Sequence, residues 1–560
     1  MSTPHETYAN RFGLRPVALA RHGMVASANP LATQAGVRML ARGGNAVDAI
    51  VAAAAAIGVV EPYMSGLAGC GVLLLTRPGH RPLALNFLGR APSGATPERL
   101  DGQNRTSGAL AVAVPGNLAG WARVLADHGT LRLAEVLQPA IELCEGGFPM
   151  TLFDQQMFDE HPAHLDAEAR RVYLHDGKRP ALGAQVVQPD LAATFRKIAH
   201  QGIGVVYDGE VGEAIVRDLQ AAGSSMTRED LATYPGRLAW TEALTTTYRG
   251  VEVFTAPPPS SGIQVLETLN GMAGWDVGRM EHLGSDHLAT IAEAARAARV
   301  DTDRYVADPD FVEVPVERLL GPDHTEELRS AMRARLSPER QPVAVAGGSQ
   351  GGADKVSGIE TAGSPGGAAS TTHLAACDRS GLAVNITHSL GNGFGSGIVA
   401  RGTGVALNNA LHWTSTDPTH PNRVEPGKRH EWPVAPVHLV REGRFWATVG
   451  TPGSYGILVT TVQVLANLID FSLNVQDAIG APRFRWLDEA IDPLPAETLR
   501  MESRVPESTR QALAARGYRL DMLGAWSMRV GGVQAVMADP GTGWLMGGAD
   551  PRRNGYAIGW

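Results

Sequence analysis

The sequence predicts an α+β protein built from layers of helices and sheets. Helical periodicity dominates from about Leu118 to Arg335, with apolar residues three and four positions apart. After Ser370 the pattern changes to short strands joined by tight turns. Because helices and strands occur in separate runs rather than in strict alternation, a layered α+β architecture is favoured over an alternating βαβ fold.

The N-terminal part predicts two helices followed by two strands. The second helix is expected to begin after Asn45, since Asp48 lies three residues further on and completes a capping-box pattern. The segment GVLLLTRPGHRPLALNF at 71–87 then predicts two strands around a Pro-Gly turn.

The C-terminal third predicts three β-hairpins, at 371–390, 436–450 and 533–550, with a helix over 457–471. Before the first hairpin, residues 341–370 are rich in Gly, Ser and Ala and lack periodicity, which predicts a mobile loop or linker.

Composition restricts the class of protein. The 560 residues are 44% hydrophobic and 19% charged, as expected of a soluble globular chain with a large core. The 57 acidic against 49 basic residues give a net charge of −8, which argues against nucleic-acid binding. The longest apolar run, 46–60, is too short to span a membrane. The first residues show no secretory signal, so a cytoplasmic location is expected.

No motif predicts a metal or a cofactor. The chain has no G-x-S-x-G elbow and no P-loop, and the glycine run of 391–397 lacks the dinucleotide-binding spacing. The three cysteines fit neither a disulfide framework nor a zinc site, so free, mostly buried thiols are expected; they are Cys70, Cys144 and Cys377. The histidines of the last third also lack zinc-site spacing; they are His373, His388, His412, His420 and His430.

The junction between the glycine-rich loop and the first hairpin is a candidate for nucleophilic chemistry. Cleavage between Ser370 and Thr371 would give Thr371 both a hydroxyl and a free α-amine. An α-amine has a reference pKa of about 7.7–8.0, so near neutral pH it can take the hydroxyl proton directly or through water. Taken by itself, Thr371 is more simply interpreted as an ordinary β-branched strand residue.

Several motifs along nearly the whole chain resemble the γ-glutamyltransferase family of N-terminal-nucleophile hydrolases. The start of the first hairpin, TTHLAACDRSGLAVNITHSL, is similar to the start of the small subunit in that family. The other similar segments are HGMVASANPLATQAGVRMLARGGNAVDAIVAA at 22–53, TYRG at 247–250, APPPSSGIQVLETLN at 256–270, DPDF at 308–311, FGSGIV at 394–399, GTGVALNN at 402–409 and APRF at 481–484.

The resemblance implies an αββα sandwich made from one precursor that cleaves itself. The large subunit would comprise residues 1–370 and the small subunit 371–560, associated as an αβ heterodimer with Thr371 as nucleophile. The second hydroxyl of the family falls on Ser389. The pair of backbone N–H groups that forms the oxyanion hole falls on Gly453 and Ser454.

The resemblance fails in the pocket that binds the glutamyl group. The arginine that grips the α-carboxylate in the family falls on Leu88, with Arg90 two positions further on. An asparagine that also binds the α-carboxylate in the family falls on Gly391. Two adjacent acidic residues of the family, one of which pairs with the α-ammonium, fall on His412 and Trp413. Two serines that bind the carboxylate fall on Trp432 and the proline after it. A zwitterionic glutamyl head would therefore lack partners, at a cost of several kcal/mol.

Three hypotheses follow. The first is a self-processing amidohydrolase or acylase, similar to cephalosporin acylases or oxamate amidohydrolase, with an acyl group other than glutamyl. Such an acyl group would be smaller, flatter or more apolar, with any carboxylate held by Arg90, His412 or His430. The second hypothesis is a true γ-glutamyltransferase or glutathione hydrolase. The third is an uncleaved, non-catalytic relative. The tryptophans are equally compatible with core packing.

Overall fold

Two seven-stranded sheets face each other and are covered by helices. The computed structural model describes residues 15–161, 164–337, 370–486, 498–539 and 541–560. Both large sheets are antiparallel throughout. The predicted α+β class is confirmed, and the order of the layers is that of an αββα sandwich.

The strands of the first sheet are, in spatial order, Tyr556–Gly559, Gly23–Ser27, Ser370–Asp378, Ala383–Gly391, Cys70–Thr76, Leu83–Phe87 and Trp240–Glu242. Those of the second sheet are Ala18–Ala20, Leu545–Ala549, Gln534–Ala538, Arg444–Gly450, Val437–Arg441, Val251–Thr255 and Leu244–Tyr248. The smaller sheets comprise Phe484–Trp486 with Thr498–Glu502 and Arg519–Leu523, Val399–Ala400 with Val405–Ala406, and Phe148–Pro149 with Gln185–Val186.

The α-helices of the described chain are Pro30–Ala41, Ala46–Val60, Pro97–Leu100, Asn117–His128, Leu133–Gly146, Leu152–Glu160, Ala167–Tyr173, Pro189–Gln201, Gly204–Tyr207, Glu210–Ala221, Arg228–Thr233, Gly262–Met272, Ser285–Tyr305, Val316–Leu319, Pro322–Leu336, Gly456–Ile469, Val475–Gly480 and Glu507–Ala515. Short 3-10 helices lie at Ala109–Ala111, Pro235–Arg237, Val277–Arg279, Ala410–Trp413 and Met528–Val530. No helix among the described residues is long and apolar enough to cross a membrane.

Apolar side chains fill the spaces between the layers. The helix Ala46–Val60 is buried along its entire length and packs on the central strands of the first sheet. The helices Gly262–Met272 and Gly456–Ile469 cover the second sheet. Between the two sheets, Met24 and neighbouring small residues of the first meet Val536 and other residues of the second. Both faces of the central strands are thus buried, and in the strands Ser370–Asp378 and Ala383–Gly391 this burial extends to several polar side chains.

The hairpin Ser370–Gly391 lies at the centre of the first sheet. All residues of its two strands are buried, and Thr371 pairs directly with Ser389. Side chains of directly opposed residues lie on the same face of a sheet. The register therefore brings the two hydroxyls together, and it shifts by one residue at Ser370.

Most of the predicted elements are confirmed. The capping box at Asn45 and Asp48 is present, and the three C-terminal hairpins form as expected. The prediction of a mainly helical middle was wrong for 240–255, which forms three strands. Trp240–Glu242 forms an edge strand of the first sheet, and the β-branched residues of LTTTYRGVEVFT form the last two strands of the second sheet. Pairing in the sheets there outweighs helical propensity. Of the predicted loop 341–370, only Ser370 lies within the described residues.

Candidate active site

A chain of hydrogen bonds joins the two hydroxyls at the start of the hairpin to the preceding carbonyl. The Thr371 hydroxyl donates to Ser389 Oγ over 3.2 Å. The Ser389 hydroxyl donates in turn to the carbonyl oxygen of Ser370, and the Gly391 N–H donates to Ser389 Oγ over 2.7 Å. A potential nucleophile thus lies beside the peptide bond that precedes it, with Ser389 bound to both partners.

The main chain of Thr371 is held from the C-terminal end of the protein. Arg553 Nη1 donates to the Thr371 carbonyl oxygen over 3.0 Å. The guanidinium is buried, and its positive charge also acts on Glu61. Burial raises the pKa of Glu61 to about 8, and Arg553 opposes that rise. Sequence analysis missed Arg553, because nothing in the local pattern RRNG indicates a partner 182 residues away.

A turn with two backbone N–H groups follows the strand Arg444–Gly450, which packs against the strand Ser370–Asp378. Gly450, at the end of its strand, is so close to His373 that a Cβ there would lie 2.2 Å from the imidazole Cε1 atom. Three residues later come Gly453 and Ser454, with φ of 137° and 53°. Neither residue's N–H finds an acceptor among the described residues. They directly precede the helix Gly456–Ile469, whose N-terminal end favours negative charge.

Ser454 adopts a left-handed conformation that disfavours most residues other than glycine. The backbone geometry of a Gly-Gly pair is therefore kept with a serine in the second position. Since the N–H groups and not the side chains would stabilise an oxyanion, this replacement leaves the donors in place.

Histidines surround the hairpin but are neutral. Burial lowers the pKa of His373 to about 3 and that of His388 to about 3. His373 Nδ1 lies 2.8 Å from Thr387 Oγ1, and His388 Nδ1 lies 3.0 Å from Ser65 Oγ. Both imidazoles are thus engaged away from Thr371, so neither His373 nor His388 is available as its base.

Two tryptophans form a wall beside the end of the hairpin that carries Ser370 and Thr371. A Cβ at Gly391 would lie 3.0 Å from Trp413 Cζ3, so the indole lies directly over the residue that pairs with Ser370. The rings of Trp413 and Trp432 are 5.4 Å apart. Both tryptophans are buried in the same apolar cluster as Leu88.

Hydrogen bonds of Glu431 connect Trp432 to the turn at Ser454. The neighbouring Glu431 accepts hydrogen bonds from the hydroxyls of Ser261 and Tyr455. Tyr455 directly follows Ser454, and the guanidinium of Arg299 lies 3.7 Å from the centre of its ring. The structure therefore brings the two predicted groups of residues, the turn and the tryptophans, to one place.

The two histidines beside the tryptophans are uncharged near neutral pH. Burial lowers the pKa of His412 to about 4 and that of His430 to about 4, so both are neutral near pH 7. His412 and His430 each stack edge-on or tilted against a tryptophan, with ring centres 4.9 Å apart. The positive charge of Arg105 contributes to the low pKa of His412. Sequence analysis missed Arg105, which donates to the Thr414 carbonyl over 2.8 Å.

Arg90 is engaged with acidic residues rather than free. Its Nη2 lies 3.1 Å from Asp310 Oδ2, and its Nη1 donates to the Gly427 carbonyl over 2.8 Å. Leu88 and Arg90 line a cavity of about 370 Å³ together with Arg429. The DPDF segment thus supplies a carboxylate that already neutralises Arg90.

Comparisons with known proteins identify the family of this chain. The profile of the family described as Gamma-glutamyltranspeptidase matches residues 32–560. The chain is 35% identical to the Acylase ACY 1 proenzyme of Pseudomonas sp. (strain V22), over 97% of this chain and 94% of that one. It is 32% identical to the Glutathione hydrolase proenzyme of Escherichia coli (strain K12), over 95% of this chain and 91% of that one.

A solved structure shows the same fold. The cephalosporin acylase from Bacillus halodurans superposes with a TM-score of 0.86 and 31% identity, over 100% of this chain and 98% of that one. The profile match and both relatives extend over nearly the whole chain. The chain therefore belongs to the γ-glutamyltranspeptidase family of N-terminal-nucleophile hydrolases, which act on amide bonds.

Proposed function

We propose that the protein is a self-processing acylase or amidohydrolase in which Thr371 is the nucleophile. The observation that carries the proposal is the hydrogen-bond chain from Thr371 through Ser389 to the Ser370 carbonyl. Cleavage before Thr371 would give subunits 1–370 and 371–560, which stay together because their strands alternate in the same sheets. The proenzyme names of the relatives support such processing.

Self-cleavage uses the same hydroxyl as catalysis. Thr371 Oγ attacks the Ser370 carbonyl carbon, and its proton passes through the Ser389 hydroxyl to the former carbonyl oxygen. The C–N bond then breaks, the proton moves to the departing nitrogen, and the acyl chain is left as an ester on Thr371. Water hydrolyses this ester, which gives a carboxylate on Ser370 and a free amine and hydroxyl on Thr371.

The mature site would then act on a substrate amide. The α-amine of Thr371 takes the hydroxyl proton as Oγ attacks the substrate carbonyl. The N–H groups of Gly453 and Ser454 stabilise the oxyanion, a contribution of about 10²–10³ in rate for one donor. The amine product leaves with a proton, and water hydrolyses the acyl-enzyme to release the acid.

The pocket favours an acyl group without a zwitterionic head. Trp413, Trp432 and Leu88 present apolar surface, and His412 and His430 are neutral. The α-carboxylate and α-ammonium of a glutamyl group would be buried without partners there, at a cost of several kcal/mol. A flat or apolar acyl group instead gains from contact with two indoles.

Glutathione hydrolysis is the second candidate. Arg105 places one buried cation close enough to His412 to lower its pKa, and a glutathione hydrolase is among the relatives. Since Arg90 is held by Asp310, Arg105 would have to bind the acyl carboxylate in this candidate function.

Hydrolysis of matched p-nitroanilides distinguishes the acylase or amidohydrolase function from glutathione hydrolysis. We expect phenylacetyl-p-nitroanilide to be hydrolysed with a higher kcat/KM than γ-glutamyl-p-nitroanilide. Trp413→Ala should lower kcat/KM for the preferred amide by about 10-fold or more, as loss of one aromatic contact implies. The control is Trp544→Ala, at a partly exposed residue outside the pocket. Preference for the γ-glutamyl compound would favour glutathione hydrolysis.

A further inference from the structure

Three helices of the large subunit bring together one histidine and two carboxylates outside the active site. Glu267 lies on Gly262–Met272, Asp301 on Ser285–Tyr305 and His324 on Pro322–Leu336. Their nearest ligand atoms all lie within 4.8 Å of one another, and all three residues are buried. No part of the proposed amidase chemistry uses them.

Glu267 is a buried carboxylate without a hydrogen-bond partner among the described residues. Its exposed fraction is 0%, and neither carboxylate oxygen has a hydrogen-bond partner within the described chain. Oε1 points at His324 Nε2 from 3.6 Å, which is too long for a hydrogen bond. Buried polar groups are almost always satisfied, so a carboxylate in this state indicates a missing partner.

His324 is oriented as metal-binding histidines are. Its Nδ1 lies 3.0 Å from Glu327 Oε2, one helical turn further along. A carboxylate that accepts the Nδ1 proton fixes the tautomer and leaves the Nε2 lone pair for a metal ion. Nε2 faces both Asp301, whose Oδ2 is 2.9 Å away, and Glu267.

An imidazolium without any metal explains the cluster less well. The single Nε2 proton would be donated to Asp301, at 2.9 Å. Glu267 would then keep both of its oxygens without a donor. One cation between the three groups would instead contact all of them at once.

We propose that Glu267, Asp301 and His324 form a binding site for a divalent transition-metal ion, most favourably Zn²⁺. Ligand atoms about 2.0–2.2 Å from Zn²⁺ are about 3.3–3.6 Å apart in tetrahedral geometry. The observed 2.9 and 3.6 Å are close to this range. Mg²⁺ and Ca²⁺ prefer oxygen ligands alone, whereas one imidazole and two carboxylates suit Zn²⁺. The fourth position is left for water.

The ion would stabilise the helical layer behind the pocket. The helix that carries Glu267 begins next to Ser261, whose hydroxyl binds Glu431 beside Trp432. The helix that carries Asp301 also carries Arg299, which lies over Tyr455 beside the turn of Ser454. A metal ion that joins these helices would therefore hold Ser261 and Arg299 in position, and these two residues contact Glu431 and Tyr455 beside the pocket.

Metal analysis of the full-length, tag-free protein tests the site. After treatment with chelator and dialysis against Zn²⁺, we expect one tightly bound Zn²⁺ per chain by elemental mass spectrometry and a higher Tm than that of the metal-free protein. Co²⁺ should bind at the same place and give visible absorption bands of low-symmetry coordination. Glu267→Gln and His324→Gln should each weaken Zn²⁺ binding by at least about 10-fold, the lower end for loss of even an outer partner.

Two further variants separate the site from other histidines and from a folding defect. Glu327→Gln keeps all three ligands, and it should weaken Zn²⁺ binding by about 10–100-fold while the protein still folds. His200→Ala, at an exposed histidine, should leave the stoichiometry unchanged. The proposal is overturned if the dialysed protein retains no Zn²⁺, or if retained Zn²⁺ is unaffected in Glu267→Gln and Glu327→Gln.

Discussion

Arg553 donates a hydrogen bond of 3.0 Å to the carbonyl oxygen of Thr371, the residue that would become the N-terminal nucleophile. This contact holds the main chain of Thr371 in place. It also places a buried positive charge near Glu61, which limits the rise in the pKa of that carboxyl group.

Arg553→Lys should slow self-cleavage. A lysine keeps the charge but loses the planar, pre-oriented donors of the guanidinium. A displacement of the reacting atoms by about 1 Å costs up to about 10²-fold in rate, so we expect a 10- to 100-fold slower appearance of the small subunit on a denaturing gel. The control, Arg196→Lys, alters an exposed ion pair and should process normally. Normal processing of Arg553→Lys would contradict this positioning role.

Ser389→Ala should leave mostly uncleaved precursor. The substitution removes the donor to the Ser370 carbonyl and the acceptor for the Thr371 hydroxyl together. Loss of one such donor costs about 10²–10³ in rate. Ser389→Thr retains the hydroxyl and should process within about 10-fold of the wild type. The rates are measured from the mass of the intact chain over time, and equal rates for the two variants would count against a role for the hydroxyl.

Gly453 and Ser454 should respond oppositely to substitution. Ser454→Gly relieves a left-handed serine and should stabilise the protein by up to about 1 kcal/mol, with little change in activity. Gly453→Ala places a side chain at φ 137°, where L-residues are strained, although its Cβ would make only ordinary contacts, 3.6 Å or more from the nearest atoms. We expect Gly453→Ala to reduce amidase activity by at least about 10-fold. Thermal unfolding and kcat measurements on the same samples distinguish stability from catalysis.

Stability should fall when the pH is lowered from 7 to 4. Burial lowers the pKa values of His373, His388 and His438 to about 3, so these groups stay neutral in the folded chain. In the unfolded chain they take up protons below their reference pKa of about 6.5. The unfolded state then binds more protons, and each histidine lowers the free energy of unfolding by up to about 1.4 kcal/mol per pH unit.

Urea denaturation of the Thr371→Ala precursor at pH 7, 6 and 5 measures this dependence on a single chain. His438→Gln, which removes one of the neutral imidazoles, should reduce the slope of stability against pH. The absence of any loss of stability between pH 6.5 and 5 would show that these histidines are not buried as neutral groups.

Local patterns predicted the parts of the fold that local chemistry determines. The cap at Asn45 and the turn between the strands of the Ser370–Gly391 hairpin follow from residues close together in sequence. The pairing of Thr371 with Ser389 follows from that hairpin. The family resemblance located the turn at Gly453 and the two tryptophans of the pocket wall.

Long-range contacts could not be predicted in this way. Arg553 reaches Thr371 across 182 positions, and the neutralisation of Arg90 by Asp310 depends on how two loops pack. The edge strands at 240–255 were missed because sheet pairing outweighed the helical pattern around them. The metal-site residues come from three separate helices, with no spacing that sequence motifs could reveal.

The most direct test of the account is the intact mass and N-terminal sequence of the purified protein. We predict two chains, with the smaller one beginning Thr-Thr-His-Leu, and a single chain for Thr371→Ala. A wild-type protein that remains one unbroken chain after long incubation would contradict the assignment of Thr371 as a self-activated nucleophile.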